Sequence, residues 1–289
     1  MDKKALQQEI ISASSGGINP AGEKYRFLSL AVTRKLAGDH HVSGRLIELA
    51  ALEADIIPER YQRNIGSIGL NGQIKLLKAV VGVIGAGGLG GFALEFLARI
   101  GVGRLVVVDD DYFSDSNLNR QLMATEKDLN KPKAETAAKR VADVNSAVEV
   151  QTHKCRGSYS NLPEIFSECD LVLDCLDNLT SRFDLEKACQ KLDIIMVHGA
   201  IAGFLGQLAV IRPGQPLLSS IYGSPGENTP DRGAEVELGN PVFTPAMLAA
   251  WQVSEAVKIL AGLEGILPPD ELLIIDMQAG ESYRVGLKA

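Results

Sequence analysis

Three side chains bound the chemistry open to this chain of 289 residues: Arg120, Lys133 and Asp177. A guanidinium presents a planar fork of donors that matches phosphate oxygens. Lys133 follows thirteen residues after Arg120, at the start of the helical stretch "KAETAAKRVADVN", where an ammonium could reach the same phosphates. Asp177 lies in "DCLDN", beside Asn178. A carboxylate next to a bound triphosphate can hold Mg²⁺, which takes one or two carboxylates together with phosphate oxygens. Taken singly, each has an ordinary role: a surface ion pair for Arg120, a solvated helix lysine for Lys133, a helix N-cap for Asp177. Their joint placement just past strands of one sheet points to a polyphosphate.

A glycine turn says where that polyphosphate sits. Val80 to Gly91 reads "VVGVIGAGGLGG", a strand running into Gly85-x-Gly87-x-x-Gly90. Such glycines permit a tight turn, close backbone approach to a phosphate, and close helix–strand packing. The following helix start offers free N–H groups and a partial positive charge. Asp109 ends the next strand, 19 residues after Gly90, where a carboxylate can hydrogen-bond a ribose. To this point NAD and ATP are equally allowed. Asn117, Asn119, Arg120 and Gln121, in "DDDYFSDSNLNRQ", favour the triphosphate, because a dehydrogenase has no general need for a guanidinium there.

These residues require a sheet whose strand ends converge. From Lys78 the pattern alternates strands and helices: "AVVGVIG", a helix from about Leu89 to Ile100, "RLVVVDD", "KAETAAKRVADVN", "AVEVQTHK", "DLVLDCL", "SRFDLEKACQKL" and "DIIMVHGA". That alternation predicts a Rossmann-like, doubly wound, mostly parallel α/β sheet. "GQLAVIRP" predicts an added antiparallel strand, and a loop from Pro213 to Pro241 follows. A helix over about Thr244–Leu260 and closing strands near "LLIID" and "YRVGL" complete a domain spanning 59–289. Residues 1–58 predict a separate helical extension, with helices near Lys24–Ala37 and Val42–Asp55 and a breaker at "SSGGINPAG".

Bulk properties narrow the partners. A net charge of −7 disfavours nucleic acid, which needs a basic footprint. There is no apolar run near 18 residues and no signal-peptide core in "MDKKALQQEI", so a cytoplasmic protein without a membrane span is expected. The four cysteines, Cys155, Cys169, Cys175 and Cys189, form no C-x-x-C pair. Adjacent His40 and His41 would point in different directions on a helix, which suits solvated side chains rather than a metal site.

The ordered set "RYQRN", "GAGGLGG", "DDDYFSDSNLNRQ", "KPKAE", "DCLDNLTSR" and "QVSEAVKIL" resembles the ThiF/MoeB/HesA family, bacterial relatives of ubiquitin-activating enzymes. The resemblance runs from about Glu59 to the C-terminus. It implies ATP-dependent adenylation of the C-terminal glycine of a small ubiquitin-fold sulfur carrier, with release of pyrophosphate. It places Gly85, Gly87, Gly88 and Gly90 against the nucleotide and Asp109 on the ribose. It assigns phosphate binding to Ser116, Asn117, Leu118, Asn119 and Arg120 with Lys133. Asp111, Gln121 and Asn178 join the nucleotide contacts, and Asp177 binds Mg²⁺ or aligns ATP. Arg63, in "RYQRN", would reach across a homodimer to the partner's ATP. Arg63, Arg120, Lys133 and Asp177 are thus the expected catalytic residues. Many members of the family carry two C-x-x-C pairs that bind zinc, and some carry a loop cysteine that takes the activated carboxyl. No cysteine follows Cys189 here, so neither a thiolate zinc site of that kind nor a thioester in the loop is expected. The incoming tail would pass Gly199, Ala200 and Gly203, guided by the loop around Tyr222–Gly239. Two alternatives stay open: adenylation of a peptide or of a tRNA-borne carboxylate, and an NAD(P)-dependent oxidoreductase.

Overall fold

The computed structural model describes residues 3–18, 22–224 and 233–287. The first 58 residues hold α1 (Lys3–Ala13), β1 (Ser15–Ile18), β2 (Lys24–Leu28), α2 (Leu30–Asp39), α3 (Gly44–Leu52) and β3 (Ile56–Pro58). Helices α2 and α3 overlap the two expected helical stretches and α1 precedes them, but the three strands form a small sheet that the helical reading lacks. Lys24–Leu28 is a strand and not the start of a helix. Tyr25 and Phe27 alternate onto one face, with ring centroids 5.7 Å apart, and Phe27 pairs with Ser15 across an antiparallel register. The helix begins only after Ser29, whose hydroxyl accepts from Val32 N at 3.3 Å as an N-cap. Leu6, Ile10, Leu28, Leu36, Ile47 and Ile56 form the core of this segment.

Polar contacts tie the extension to the rest. Arg45 grips Glu149 with two hydrogen bonds of 3.1 Å. Arg60 pairs at 3.2 Å with the buried Glu48. Asn145 Nδ2 donates to Tyr61 Oη, just past the extension, and to Ala98 O, both at 2.9 Å, contacts internal to the main domain. Then comes α4 (Ile65–Lys78), broken internally at Gly69, where φ is +70°.

The remaining elements follow the predicted alternation, with the short α7 as an element the sequence reading lacks: β4 (Val80–Ile84), α5 (Gly88–Ile100), β5 (Arg104–Val108), α6 (Lys133–Val144), β6 (Glu149–His153), α7 (Leu162–Ile165), β7 (Leu171–Asp174), α8 (Leu179–Leu192) and β8 (Ile195–Ala202). After β9 (Leu205–Ile211) come the short α9 (Leu218–Tyr222) and α10 (Glu235–Leu238), within the stretch expected as a loop. The chain closes with α11 (Phe243–Ala261), β10 (Glu271–Asp276) and β11 (Glu281–Gly286). One eight-stranded sheet results, in the order β11-β10-β9-β8-β7-β4-β5-β6. Strands β8, β7, β4, β5 and β6 are parallel; β9, β10 and β11 add on antiparallel.

The central strands are apolar on both faces because both are covered. Val81 and Val83 pack with Leu94 and Leu97 of α5 and Leu248 of α11. Ile84, Val106 and Val172 pack with Phe166 and with Leu185 of α8. From β4 the chain moves outward to β5 and β6, then returns to the other side of β4 for β7 and β8. The switch lies between β4 and β7, and a crevice opens there at the carboxyl ends of the strands.

Candidate functional site

The crevice begins at the glycine turn. Gly85 has φ of +89°, a left-handed conformation that a side chain strains, and a Cβ there would stand 2.6 Å from Cys175 O. A Cβ on Gly90 would stand 1.7 Å from Gly85 O, so only glycine lets α5 begin this close to the strand. No side chain caps the start of α5, and its first N–H groups face the crevice beside Gly87 and Gly88. Asp109 leaves β5 opposite the turn. Its Oδ2 accepts from Ala86 N at 2.6 Å and its Oδ1 from Asp111 N at 2.8 Å. Burial raises its pKa, and the N–H donors and Lys133 only partly offset that. The carboxylate is therefore fixed in orientation while still lining the cleft.

Past β5, Ser114 and Asn117 form a reciprocal cap that makes a tight turn. Asn117 is buried and structural. The turn presents Arg120, whose Nη1 donates to Ser116 O at 3.0 Å and to Asn119 Oδ1 at 2.7 Å. Asn119 Nδ2 in turn donates to Asn240 O at 3.3 Å, across the cleft mouth. Gln121 is buried against Gly87, and its Oε1 has no hydrogen-bond partner. Lys133 starts α6, buried, and its Nζ reaches Asp111 Oδ2 at 2.8 Å. On the opposite wall the turn after β7 carries Asp177 and Asn178. The Asn178 side chain accepts from Ser181 N at 2.9 Å and caps α8, which leaves Asp177 exposed at the rim.

These walls enclose a cleft of about 510 Å³. Of the residues singled out by sequence, Gly85, Gly87, Gly88, Asp109, Asp111, Arg120, Gln121, Lys133, Asp177 and Asn178 line it, as do Gly199 and Ala200 but not Gly203. Gly90 packs beneath the turn; Ser116, Asn117 and Asn119 bond to Arg120 rather than line the cleft, and Leu118 lies outside the lining. Arg63 is exposed, outside the lining of its own chain's cleft. Arg156 and Arg182 line the cleft as well, without having been singled out. Arg182 was within reach of sequence reasoning, since it stands one helical turn past the cap Asn178 and so faces back toward it. Arg156 follows a weakly patterned edge strand and gives no such signal.

A family model described as "ThiF family" matches residues 61–285. The chain belongs to the ThiF family. It is 38% identical to a SAMP-activating enzyme E1 of Haloferax volcanii, over 75% of this chain and 81% of that one. It is 34% identical to the Sulfur carrier protein ThiS adenylyltransferase of Escherichia coli, over 79% and 91%. Among solved structures, E. coli MccB with ATP has a similar fold, with a TM-score of 0.65, 21% identity, and coverage of 79% and 72%.

Within this ThiF-family cleft the thiols are poor nucleophiles. Cys155 and Cys175 line it, and burial raises both pKa values, that of Cys175 strongly. Cys169 is buried and pushed up to about 12. All four cysteines are free, and burial raises the pKa of Cys189 as well. Among the described residues, no helix is long and apolar enough to cross a membrane.

Proposed function

We propose that this ThiF-family adenylyltransferase activates the C-terminal glycine of a small ubiquitin-fold sulfur carrier with ATP. The observation that carries the reading is the convergence of the glycine turn, Asp109, Arg120, Lys133 and Asp177 on one cleft at the switch point of the sheet. An oxidoreductase would leave Arg120 and Lys133 without a task. In the proposed reaction a tail carboxylate attacks the α-phosphorus, forming one P–O bond while the bond to pyrophosphate breaks. The nucleophile is already ionised at neutral pH, so no general base is needed. The protein's work is to hold two anions together and neutralise charge as it develops.

Charge balance supports a metal in that work. Arg120, Lys133, Arg156 and Arg182 are matched by Asp109, Asp110, Asp111 and Asp177 around the cleft. No surplus positive charge is left for a triphosphate. Exposed Asp177 is suited to share a Mg²⁺ with phosphate oxygens, and the ion would supply the missing charge. Arg63 of a second copy would add to it in a homodimer. The raised thiol pKa values support an adenylate that leaves without a thioester on this chain.

The test is ATP–pyrophosphate exchange with the purified chain against a panel of small Gly-Gly-ended carriers. Exchange that appears only with a carrier and Mg²⁺ would support the reading. Tight NAD binding with no ATP signal in calorimetry would overturn it.

A further inference from the structure

Behind the cleft wall runs a buried chain of polar groups that the adenylation chemistry does not use. It begins at Tyr222, the last residue of α9. The Tyr222 hydroxyl accepts from Gln207 Nε2 and from Arg182 Nη1, the latter at 3.3 Å. With both of those partners donating, its own proton points to His198 Nε2, 2.9 Å away. His198 Nδ1–H then donates to Asp174 Oδ2 at 2.6 Å. Asp174 Oδ1 accepts from Leu176 N at 3.0 Å, inside the turn that carries Asp177 and Asn178. Asp174 and His198 are fully buried. A neutral imidazole gives these hydrogen bonds one consistent set of directions.

Two further contacts show what this chain joins. Arg182 Nη2 donates to Leu176 O at 2.6 Å and to Gly199 O at 3.4 Å, drawing the β7 turn and β8 together. At the other end of α9, Leu217 N and Leu218 N both donate to Glu186 Oε1 of α8, at 2.7 and 2.9 Å. Thus α9 is pinned at its start to the helix that Asn178 caps, and at its end to the turn that presents Asp177. Short helices of five residues do not persist without tertiary contacts, so these pins fix its place.

We propose that Asp174, His198 and Tyr222 are positioning residues that lock the Asp177–Asn178 turn to α9, so that the nucleotide and α9 set each other's position. The proposal rests on the nucleotide-site reading above. Its consequence is reciprocal: what orders one end orders the other.

Hydrogen–deuterium exchange on the full chain, with and without ATP–Mg²⁺, tests it. In the wild type, ATP should slow amide exchange across Gly85–Leu89 and also across Leu218–Tyr222, each by about tenfold or more. Tyr222→Phe keeps the ring and removes the hydroxyl. It should retain the slowing at the glycine turn and lose it at α9. His198→Gln should behave likewise, and if that variant does not fold, Tyr222→Phe decides alone. Equal slowing at α9 in Tyr222→Phe and wild type would overturn the proposal. So would a wild type slowed at the glycine turn but not at α9. A wild type in which ATP slows neither segment would remove the nucleotide reading, and the lock with it. Because the glycine turn is followed in the same run, the two failures are told apart.

Discussion

Both acceptors of the Arg120 guanidinium, Ser116 O and Asn119 Oδ1, are neutral, so its charge is left for a ligand while its geometry is held. Lys133 differs: its ammonium is already shared with Asp111. Arg120→Ala should therefore lower carrier-dependent exchange by about 10- to 100-fold, the loss expected for one or two charge-assisted hydrogen bonds. An unchanged circular-dichroism spectrum would show that the fold is intact, and undiminished exchange would remove Arg120 from the site. His198 makes a prediction about pH. Burial lowers its pKa below the ordinary 6.5, against the pull of Asp174. The unfolded chain then binds a proton at a pH where the folded chain does not. Stability from this group is present above about pH 6.5 and is lost as pH falls toward the depressed folded value. Urea midpoints measured from pH 7.5 to 5 should decline, and His198→Gln should flatten that decline. Arg120 and Asp177 were legible in the sequence because they lie in the loops that follow strands, and Lys133 because it opens a helix. His198 lies inside "DIIMVHGA", where an apolar run reads as strand whatever a single polar residue does, and its partners Asp174 and Tyr222 come from distant stretches.

At the scale of elements, periodicity and capping worked where a segment was long and was missed where it was short. The parallel strands and α5, α6, α8 and α11 follow from apolar runs bounded by turns. Lys24–Leu28 did not, because its pairing partner is the glycine-rich Ser15–Ile18, which reads as a breaker until the two are placed side by side. The same limit hid α9, five residues too few to show a period, although Leu218 and Ile221 pack on the core and contacts from Glu186 and Tyr222 hold its ends. Helix α8 links local structure to the site most directly. Its cap, Asn178, also fixes the direction in which Asp177 and Arg182 enter the cleft. Asn178→Ala should cost about 1 kcal/mol of stability, or about 2 °C in melting temperature for a chain of this size. It should also weaken ATP–Mg²⁺ binding by more than that stability loss, because the turn before the helix loses its anchor. Calorimetric titration at a temperature well below the melt separates the two effects; ATP affinity equal to wild type would mean that the turn is set from elsewhere.

Over the whole molecule, the adenylation cleft is built from one chain with a single exception among the expected catalytic residues. Arg63 sits on the surface between the extension and α4, outside the cleft of its own chain. For it to act on ATP, a second copy must present it, and a two-fold dimer would then present it at both sites. That geometry makes a quantitative prediction. Arg63→Ala and Arg120→Ala chains should each keep only a small residual activity alone. In a mixed dimer the two defects fall on the same site, and the other site is intact: it takes Arg120 from one chain and Arg63 from its partner. Equal mixing after exchange of subunits gives mixed dimers as about half of the population, each with one working site of two. Exchange activity should recover to about a quarter of the wild-type rate. If Arg63 acted within its own chain, each chain of a mixed dimer would carry one defect, and mixing would recover nothing. Size-exclusion chromatography with light scattering on the same samples confirms that dimers are what was mixed. Recovery near a quarter would place Arg63 in the partner's cleft, and it would also explain why a residue in "RYQRN" is exposed in the single chain.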